Sequence, residues 1–183
     1  YLTVTQSTNL EKDLKNKLKI PIHIWKYYTV ESIFLTQTDK FAKLIYKVID
    51  NHDIEIDDIT SYMSLLINQK IEEKLTLLED KQYRGQISRW LKDKKTLFDV
   101  LKVTNNCIGD YHNFYTYIKS ELEKGNFQAI ATKDDVADIC INIYKKYNFD
   151  SYNKKDIFYE LLLQVDNSTW FDKWDDMIKD LNL

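Results

Sequence analysis

The chain has 183 residues, of which 44% are apolar and 30% are charged, an ordinary composition for a globular protein. Three glycines and one proline are too few for a turn-rich β fold, so the composition predicts long helices and short connections. The formal net charge of −3 excludes a chain that binds nucleic acid through an overall positive charge.

The first predicted helix covers Leu10–Lys19 and ends before the only proline of the chain. Thr8 or Asn9 can cap its first turn, and leucines recur at intervals of four residues along it. Pro21 ends the helix because proline cannot continue the backbone hydrogen bonds, and an apolar, aromatic connector follows.

Residues 8–25, TNLEKDLKNKLKIPIHIW, resemble the closing helix of a Cro/CI-type (XRE) helix-turn-helix domain. The matching positions are Leu14, Leu18, Ile20 and Pro21. Lys15 departs from the family pattern, which has a small apolar residue there, and Leu10 is one position off. The resemblance implies that residues 1–25 are the end of a DNA-binding domain whose DNA-reading residues precede this chain. The first residue is Tyr rather than Met, and we therefore expect a part of a longer protein.

Residues 26–183 are predicted to form one compact, all-helical domain. A helix from Thr38 or Asp39 to Ile49 has apolar residues at steps of three and four. The longest predicted helix lies in Ile54–Asp80 and opens with two acids, which suit a helix N-terminus. Between Tyr62 and Ile67 the apolar residues go nearly all round this helix, so we expect that part to be buried on several sides.

The remaining chain predicts more helices of ordinary length. KKTLFDVLKV, at 94–103, predicts a short helix, and Asp110 caps another that ends at Gly125. Thr132 begins the next helix, and the last two cover Lys154–Val165 and Ser168–Leu181. No alternating strand pattern persists. The fold class is therefore all-α, a single irregular bundle of about eight helices without a sheet.

No motif predicts catalysis, a metal site or a cofactor. The three histidines are isolated, and the cysteines Cys107 and Cys140 have no zinc-ligand spacing. Acids near Asp134 and Asp172 lie in the first turns of predicted helices, where the helix dipole favours them. Glycine-rich phosphate loops and nucleophile elbows are absent from the sequence. We assign no catalytic residues and favour a protein that is not an enzyme.

Cysteine usage and hydropathy predict the compartment. Two cysteines make no disulfide framework, and Cys140 lies in an apolar helical run, which is typical of a reduced thiol in a cytoplasmic protein. No apolar run reaches about 18 residues, so no membrane span is predicted.

The most specific feature is the segment KQYRGQISRWLKD, which contains both arginines of a chain that otherwise uses lysine. A guanidinium binds carboxylate or phosphate through two parallel hydrogen bonds and stacks on aromatic rings. Arg84, Arg89 and Trp90 are therefore predicted to bind an anion or a partner. Alternatively, the arginines pair with acids of the chain, such as Glu73 or Glu79, and brace the helices.

The predicted last helix carries a bulky aromatic patch, formed by Trp170, Phe171 and Trp174. Large aromatic residues on a terminal helix either dock it onto the core or supply an interface for a second copy or a partner protein. Both interpretations stay open at this point.

Three functional hypotheses follow from these features. The first is a non-catalytic regulatory or protein-interaction domain. Through the XRE resemblance, this would be the effector-sensing or dimerisation part of a phage or mobile-element transcriptional repressor, which contacts DNA only through a missing upstream segment. The second is a small helical enzyme or nuclease-like defence protein. The third is a direct nucleic-acid-binding module that uses the basic residues 12–47 and the two arginines.

Overall fold

A computed structural model of the chain describes residues 9–12, 14–16, 31–50, 53–101, 110–149 and 154–164. These residues form helices and the turns between them, and no strand occurs in this part of the chain. The predicted all-α fold is confirmed. No helix among the described residues is long and apolar enough to cross a membrane.

Six α-helices have defined bounds. We number them in chain order as α1 Thr38–Ile49, α2 Ile56–Glu79, α3 Lys81–Leu101, α4 Tyr111–Glu123, α5 Lys133–Lys146 and α6 Lys154–Leu163. Two 3-10 helices, Glu31–Thr36 and Phe127–Ala129, precede α1 and α5, and residues 9–12 and 14–16 are also helical.

Contacts group the described residues into two compact units. The first contains those of 9–16 together with 74–101 and 110–124, and the second contains 31–50, 53–73, 125–149 and 154–164. The chain passes from the second unit to the first within α2, after Glu73. These units are groups of residues in mutual contact, and the predicted division into residues 1–25 and 26–183 stays a prediction.

The second unit is built from two segments that are distant in the sequence. Its first 3-10 helix contacts α1, α5 and the second 3-10 helix, and α6 contacts α1 and α5. Phe34 and Phe41 stack with their ring centroids 5.1 Å apart, and the buried Ser32 Oγ donates a hydrogen bond to the carbonyl oxygen of Ala131 at 2.8 Å. The fully buried large side chains of this unit include Phe41, Ile45, Ile59, Met63, Phe127, Ile139, Ile143 and Ile157.

Helix α5 begins where the sequence predicts, because Thr132 and Asp135 form a capping box. Thr132 Oγ1 accepts a hydrogen bond from the Asp135 backbone N–H at 3.1 Å, and Asp135 Oδ2 accepts one from the Thr132 N–H at 2.8 Å. Two backbone donors that have no partner within the helix are thereby satisfied. From this start, Cys140 points into the core, where burial raises the pKa of its thiol well above the usual range.

The first unit contains the contact between α3 and α4. Helix α4 buries Phe114, Ile118 and Leu122, which lie one turn apart on the same face. Gly125 follows the end of α4 with φ +78°, a conformation that glycine adopts without steric cost.

Two local predictions are wrong. The stretch 62–67 of α2 is not buried on several sides, because Met63 is 0% exposed whereas Leu65 is 51% exposed. The buried positions Ile59, Met63 and Leu66 form one stripe at helical spacing, so α2 buries a single face there. The segment 94–103 is also not a separate short helix, since residues 94–101 are the end of α3. No proline interrupts α3, and an exposed glycine is tolerated within a helix.

Candidate functional site

The site lies in the first unit, and it begins where α3 starts. Asp80 precedes α3, and its Oδ1 accepts a hydrogen bond from the backbone N–H of Tyr83 at 2.8 Å. The Arg84 N–H donates to the Asp80 carbonyl oxygen at 3.0 Å, the first α-helical bond. This side-chain cap holds the first turn of α3 and therefore fixes the position from which Arg84 extends.

Tyr111, the first residue of α4, forms the opposite wall. The preceding residue, Asp110, caps α4 by accepting hydrogen bonds from the Asn113 backbone N–H at 3.0 Å and from Asn113 Nδ2 at 2.7 Å. The Tyr111 hydroxyl donates a hydrogen bond to the carbonyl oxygen of Leu78. The ring is thus held at its base by the helix cap and at its tip by a backbone carbonyl.

Arg84 lies against the face of this ring. Its guanidinium carbon is 5.1 Å from the centroid of the Tyr111 ring, within the range of a cation–π interaction. The same ring is 6.1 Å from the Tyr115 ring, one helical turn further along α4. A guanidinium in such a contact still has N–H groups that can donate hydrogen bonds to an acceptor.

Arg84 and Tyr111 border an open cleft of about 330 Å³. Its other lining residues are Leu78, Glu79, His112 and Tyr115. The volume is at the lower end of the range of about 300–1,000 Å³ that is typical of small-molecule sites. In the part of the chain that the structure describes, no ion pair within 4.0 Å joins Arg84 or Glu79 to another residue. Each charge is therefore available to a ligand.

The surroundings of Tyr111 in the cleft, and of Lys119 further along α4, favour the protonated forms of both groups. Burial raises the pKa of Tyr111; Arg84 opposes this shift, and Tyr115 and Glu79 add to it. The phenol therefore stays neutral and keeps its hydrogen bond to Leu78 at physiological pH. The hydrogen bond to Tyr115 is the main cause that raises the pKa of Lys119, so this ammonium stays charged.

The structure separates the three residues that the sequence grouped as an anion- or partner-binding cluster. Arg84 lines the cleft, whereas Arg89 does not, and its Nε donates to the Gly85 carbonyl oxygen of its own helix at 3.4 Å. Five residues along a helix rotate a side chain by about 140° from its starting direction, which explains the separation. Trp90 lies within α3, but its side chain is outside the described part of the structure.

The alternative role for the arginines, as braces between helices, has no support among the described residues. No ion pair within 4.0 Å joins Arg84 or Arg89 to an acid there. Glu73 instead lies 3.2 Å from Lys70 on α2, and Lys70 also lies 3.5 Å from Asp138 on α5.

The aromatic patch of Trp170, Phe171 and Trp174 lies outside the described residues, so its two interpretations stay predictions.

Sequence reasoning missed most of the cleft. Tyr111 and Tyr115, which line the cleft, recur in the sequence with Lys119 at intervals of four residues, and such a stripe shares one face of a helix. His112 and Glu79 gave no usable signal, because an isolated histidine and a glutamate at a helix end are ordinary surface residues.

Comparisons with protein-family models, with curated proteins and with solved structures find no match for the chain. No group of three or more His, Cys, Asp or Glu side chains within the described ranges could hold a metal ion. The chemistry of the cleft therefore carries the functional proposal.

Proposed function

We propose that the chain is a non-catalytic protein-interaction domain, and that its cleft binds a carboxylate of a partner protein. The observation that carries this proposal is the cation–π contact of Arg84 with Tyr111 at the cleft, with no acid of the described chain paired to the guanidinium. The first turn of α3 and the Tyr111 ring hold the guanidinium in place before a ligand arrives. A pre-positioned group loses less conformational entropy on binding than a flexible one.

The surroundings of Arg84 suit a protein ligand. The rings of Tyr111 and Tyr115 supply apolar surface beside a single guanidinium. Protein interfaces commonly place an arginine and tyrosines at the residues that contribute most to binding. A hydrogen bond to a charged group contributes about 1.5–3 kcal/mol, which corresponds to roughly a 10-fold to 150-fold change in affinity.

A carboxylate fits this cleft better than a nucleic-acid backbone. Glu79 lines the same cleft as Arg84, and its negative charge would repel a row of phosphates. The net charge of −3 acts in the same direction. A single carboxylate can accept hydrogen bonds from the N–H groups of the Arg84 guanidinium while it stays apart from the Glu79 carboxylate.

The resemblance of residues 8–25 to an XRE closing helix supplies a regulatory context for this proposal. Residues 9–12 and 14–16 of this segment are helical. On this basis the domain would be the effector-sensing or dimerisation part of a transcriptional repressor. DNA would be contacted by a segment upstream of this chain, and the carboxylate would come from a partner protein or a second copy.

A peptide library displayed on phage tests the proposal without any assumption about which protein is the partner. The unmodified chain is used for selection, and the enriched peptides are then measured against Arg84→Gln, Arg84→Lys and Arg89→Gln. Arg89→Gln is the matched control, because it removes the same charge from an exposed position of the same helix outside the cleft.

We expect enriched peptides to contain Asp or Glu beside an apolar residue and to lose at least about tenfold in affinity for Arg84→Gln. Arg84→Lys should fall between, because lysine keeps the charge but lacks the planar fork. Arg89→Gln should bind as the parent does. Enriched peptides without acids, or an equal loss of affinity in both glutamine variants, would refute the proposal. Tight binding of a single-stranded oligonucleotide to the parent chain would favour the nucleic-acid alternative.

A further inference from the structure

Four side chains of the first unit form a continuous row, which we call the cation–tyrosine ladder: Arg84, Tyr111, Tyr115 and Lys119. The Arg84 guanidinium carbon is 5.1 Å from the Tyr111 ring centroid, and the Tyr111 and Tyr115 ring centroids are 6.1 Å apart. Lys119 Nζ is 5.6 Å from the Tyr115 ring centroid and donates a hydrogen bond to Tyr115 Oη at 3.5 Å. The ladder therefore has a cation at each end and two aromatic rings between them.

Lys119, at the other end of the ladder, is a second cation. No ion pair within 4.0 Å joins Lys119 to an acid of the described chain. The carboxylates of Glu123 and Glu79 lie near enough to favour the charged ammonium, but neither neutralises it by direct contact. The Tyr115 hydroxyl and ring hold the flexible lysine side chain along the row.

We infer that the ladder binds a partner segment with two carboxylates on either side of one apolar side chain. Arg84 binds the first carboxylate and Lys119 the second, while the apolar side chain lies on the rings of Tyr111 and Tyr115. This inference rests on the proposed carboxylate-binding function and names the ligand of the same cleft more closely.

The spacing of the ladder sets the spacing of the acids. Lys119 lies eight positions after Tyr111, the residue whose ring Arg84 contacts, and we take the rise of α4 between them, about 12 Å at 1.5 Å per residue, as the separation of the two cations. An extended chain rises about 3.3 Å per residue, so four residues of an extended ligand span this distance. Alternate side chains of an extended segment point to the same side. The expected ligand therefore has the pattern acid–x–apolar–x–acid, with all three recognised side chains facing the ladder.

Other charges near the row restrict which ligands fit. Glu79 and His112 line the cleft beside Arg84 and Tyr111, and Glu123 lies one turn beyond Lys119. An acid between the two end positions would approach Glu79, where repulsion opposes binding. The ladder should therefore distinguish two acids at the ends from the same number of acids placed together.

Fluorescence anisotropy with labelled synthetic peptides tests this inference. The main peptide carries two glutamates four residues apart around a central leucine, in a serine-rich background that favours no helix. Its companions place the glutamates two or six residues apart, or replace the second glutamate by glutamine. The proteins are the full chain, Lys119→Gln, Lys119→Arg and Arg84→Gln.

Lys124→Gln serves as the matched control. Lys124 follows the same helix and pairs with Glu121 at 2.9 Å, outside the ladder. The substitution removes the same charge as Lys119→Gln from the same end of α4. A long-range effect of net charge would therefore appear equally in both variants.

We expect the parent chain to bind the four-residue spacing at least about fivefold more tightly than the other spacings or the single-acid peptide. Lys119→Gln should remove this preference for the four-residue spacing and leave the affinity for the single-acid peptide unchanged. Lys119→Arg should keep the preference, and Lys124→Gln should have no effect on it.

The two proposals fail differently. If Arg84→Gln weakens binding but Lys119→Gln affects one-acid and two-acid peptides alike, or if no spacing is preferred, the ladder inference is overturned and the single Arg84 site stays. If Arg84→Gln binds every peptide as the parent does, or if the parent does not bind the two-acid peptide, the carboxylate-binding function itself is wrong and the inference falls with it.

Discussion

The substitutions Met63→Ala and Leu65→Ala test which face of α2 is buried. The two positions lie two residues apart on the same helix and within the same unit. Met63 is 0% exposed, whereas Leu65 is 51% exposed. The sequence alone predicts that both are buried, so the pair separates the observed burial from the predicted one.

The expected cost of each substitution follows from burial. Removal of a fully buried methionine side chain lowers the free energy of unfolding by about 2–5 kcal/mol, because transfer free energy is lost and a cavity remains. Leu65→Ala removes a side chain that is half in water, and surface substitutions stay within about 0.5 kcal/mol. Methionine, leucine and alanine are all good helix formers, so helix propensity contributes little to either value.

Urea unfolding followed by far-ultraviolet circular dichroism measures both variants against the parent. We expect the midpoint to fall strongly for Met63→Ala and to change little for Leu65→Ala, with similar slopes in all three proteins. Equal losses in the two variants would mean that α2 is buried on both faces, and the description of its single buried stripe would be wrong.

Two further predictions concern backbone conformation and pH. Gly85→Ala in α3 should raise the free energy of unfolding by about 1 kcal/mol. Gly125→Ala, at φ +78°, should lower it by about 1–2 kcal/mol. An added Cβ has open space at both glycines, so a change of the same sign in both variants on urea unfolding would contradict this prediction. Folding raises the pKa of Tyr111, so its contribution to stability is complete below about pH 10, the unfolded value, and is lost as pH rises through the folded value. Unfolding measured from about pH 8 to 11 should therefore show a smaller alkaline loss for Tyr111→Phe than for the parent, and equal losses would exclude the linkage.

The sequence predicts those elements whose signals are local. Helix α1 begins and ends at the predicted residues because one apolar stripe runs through Thr38–Ile49 without interruption. Asp110 and Thr132 cap α4 and α5 as expected, since a cap depends on a side chain and a backbone N–H only three residues away. These features do not depend on the rest of the fold.

The cleft could not be predicted in the same way, because it depends on contacts between elements. Arg84 meets Tyr111 only because the start of α3 lies beside the start of α4, and no local pattern encodes that packing. The sequence predicts a binding role for Arg84 from the chemistry of arginine and from its proximity to Arg89. The rotation of the helix over five residues, however, directs the two side chains apart. The exposure of Leu65 has the same origin, since an apolar stretch shows which faces can be buried but not how many neighbours are available.

The hydrogen bond from Ser32 to Ala131 has a consequence for how the protein is made. It joins residues 99 positions apart, so the second unit cannot close until the ribosome has synthesised both of its segments. At about 5–20 residues per second, that interval is roughly 5–20 s. During this time Phe41 and Ile45, fully buried in the finished fold, have been translated without the partners that cover them. During synthesis the chain therefore exposes apolar side chains that the finished fold buries, and exposed apolar surface of this kind promotes aggregation.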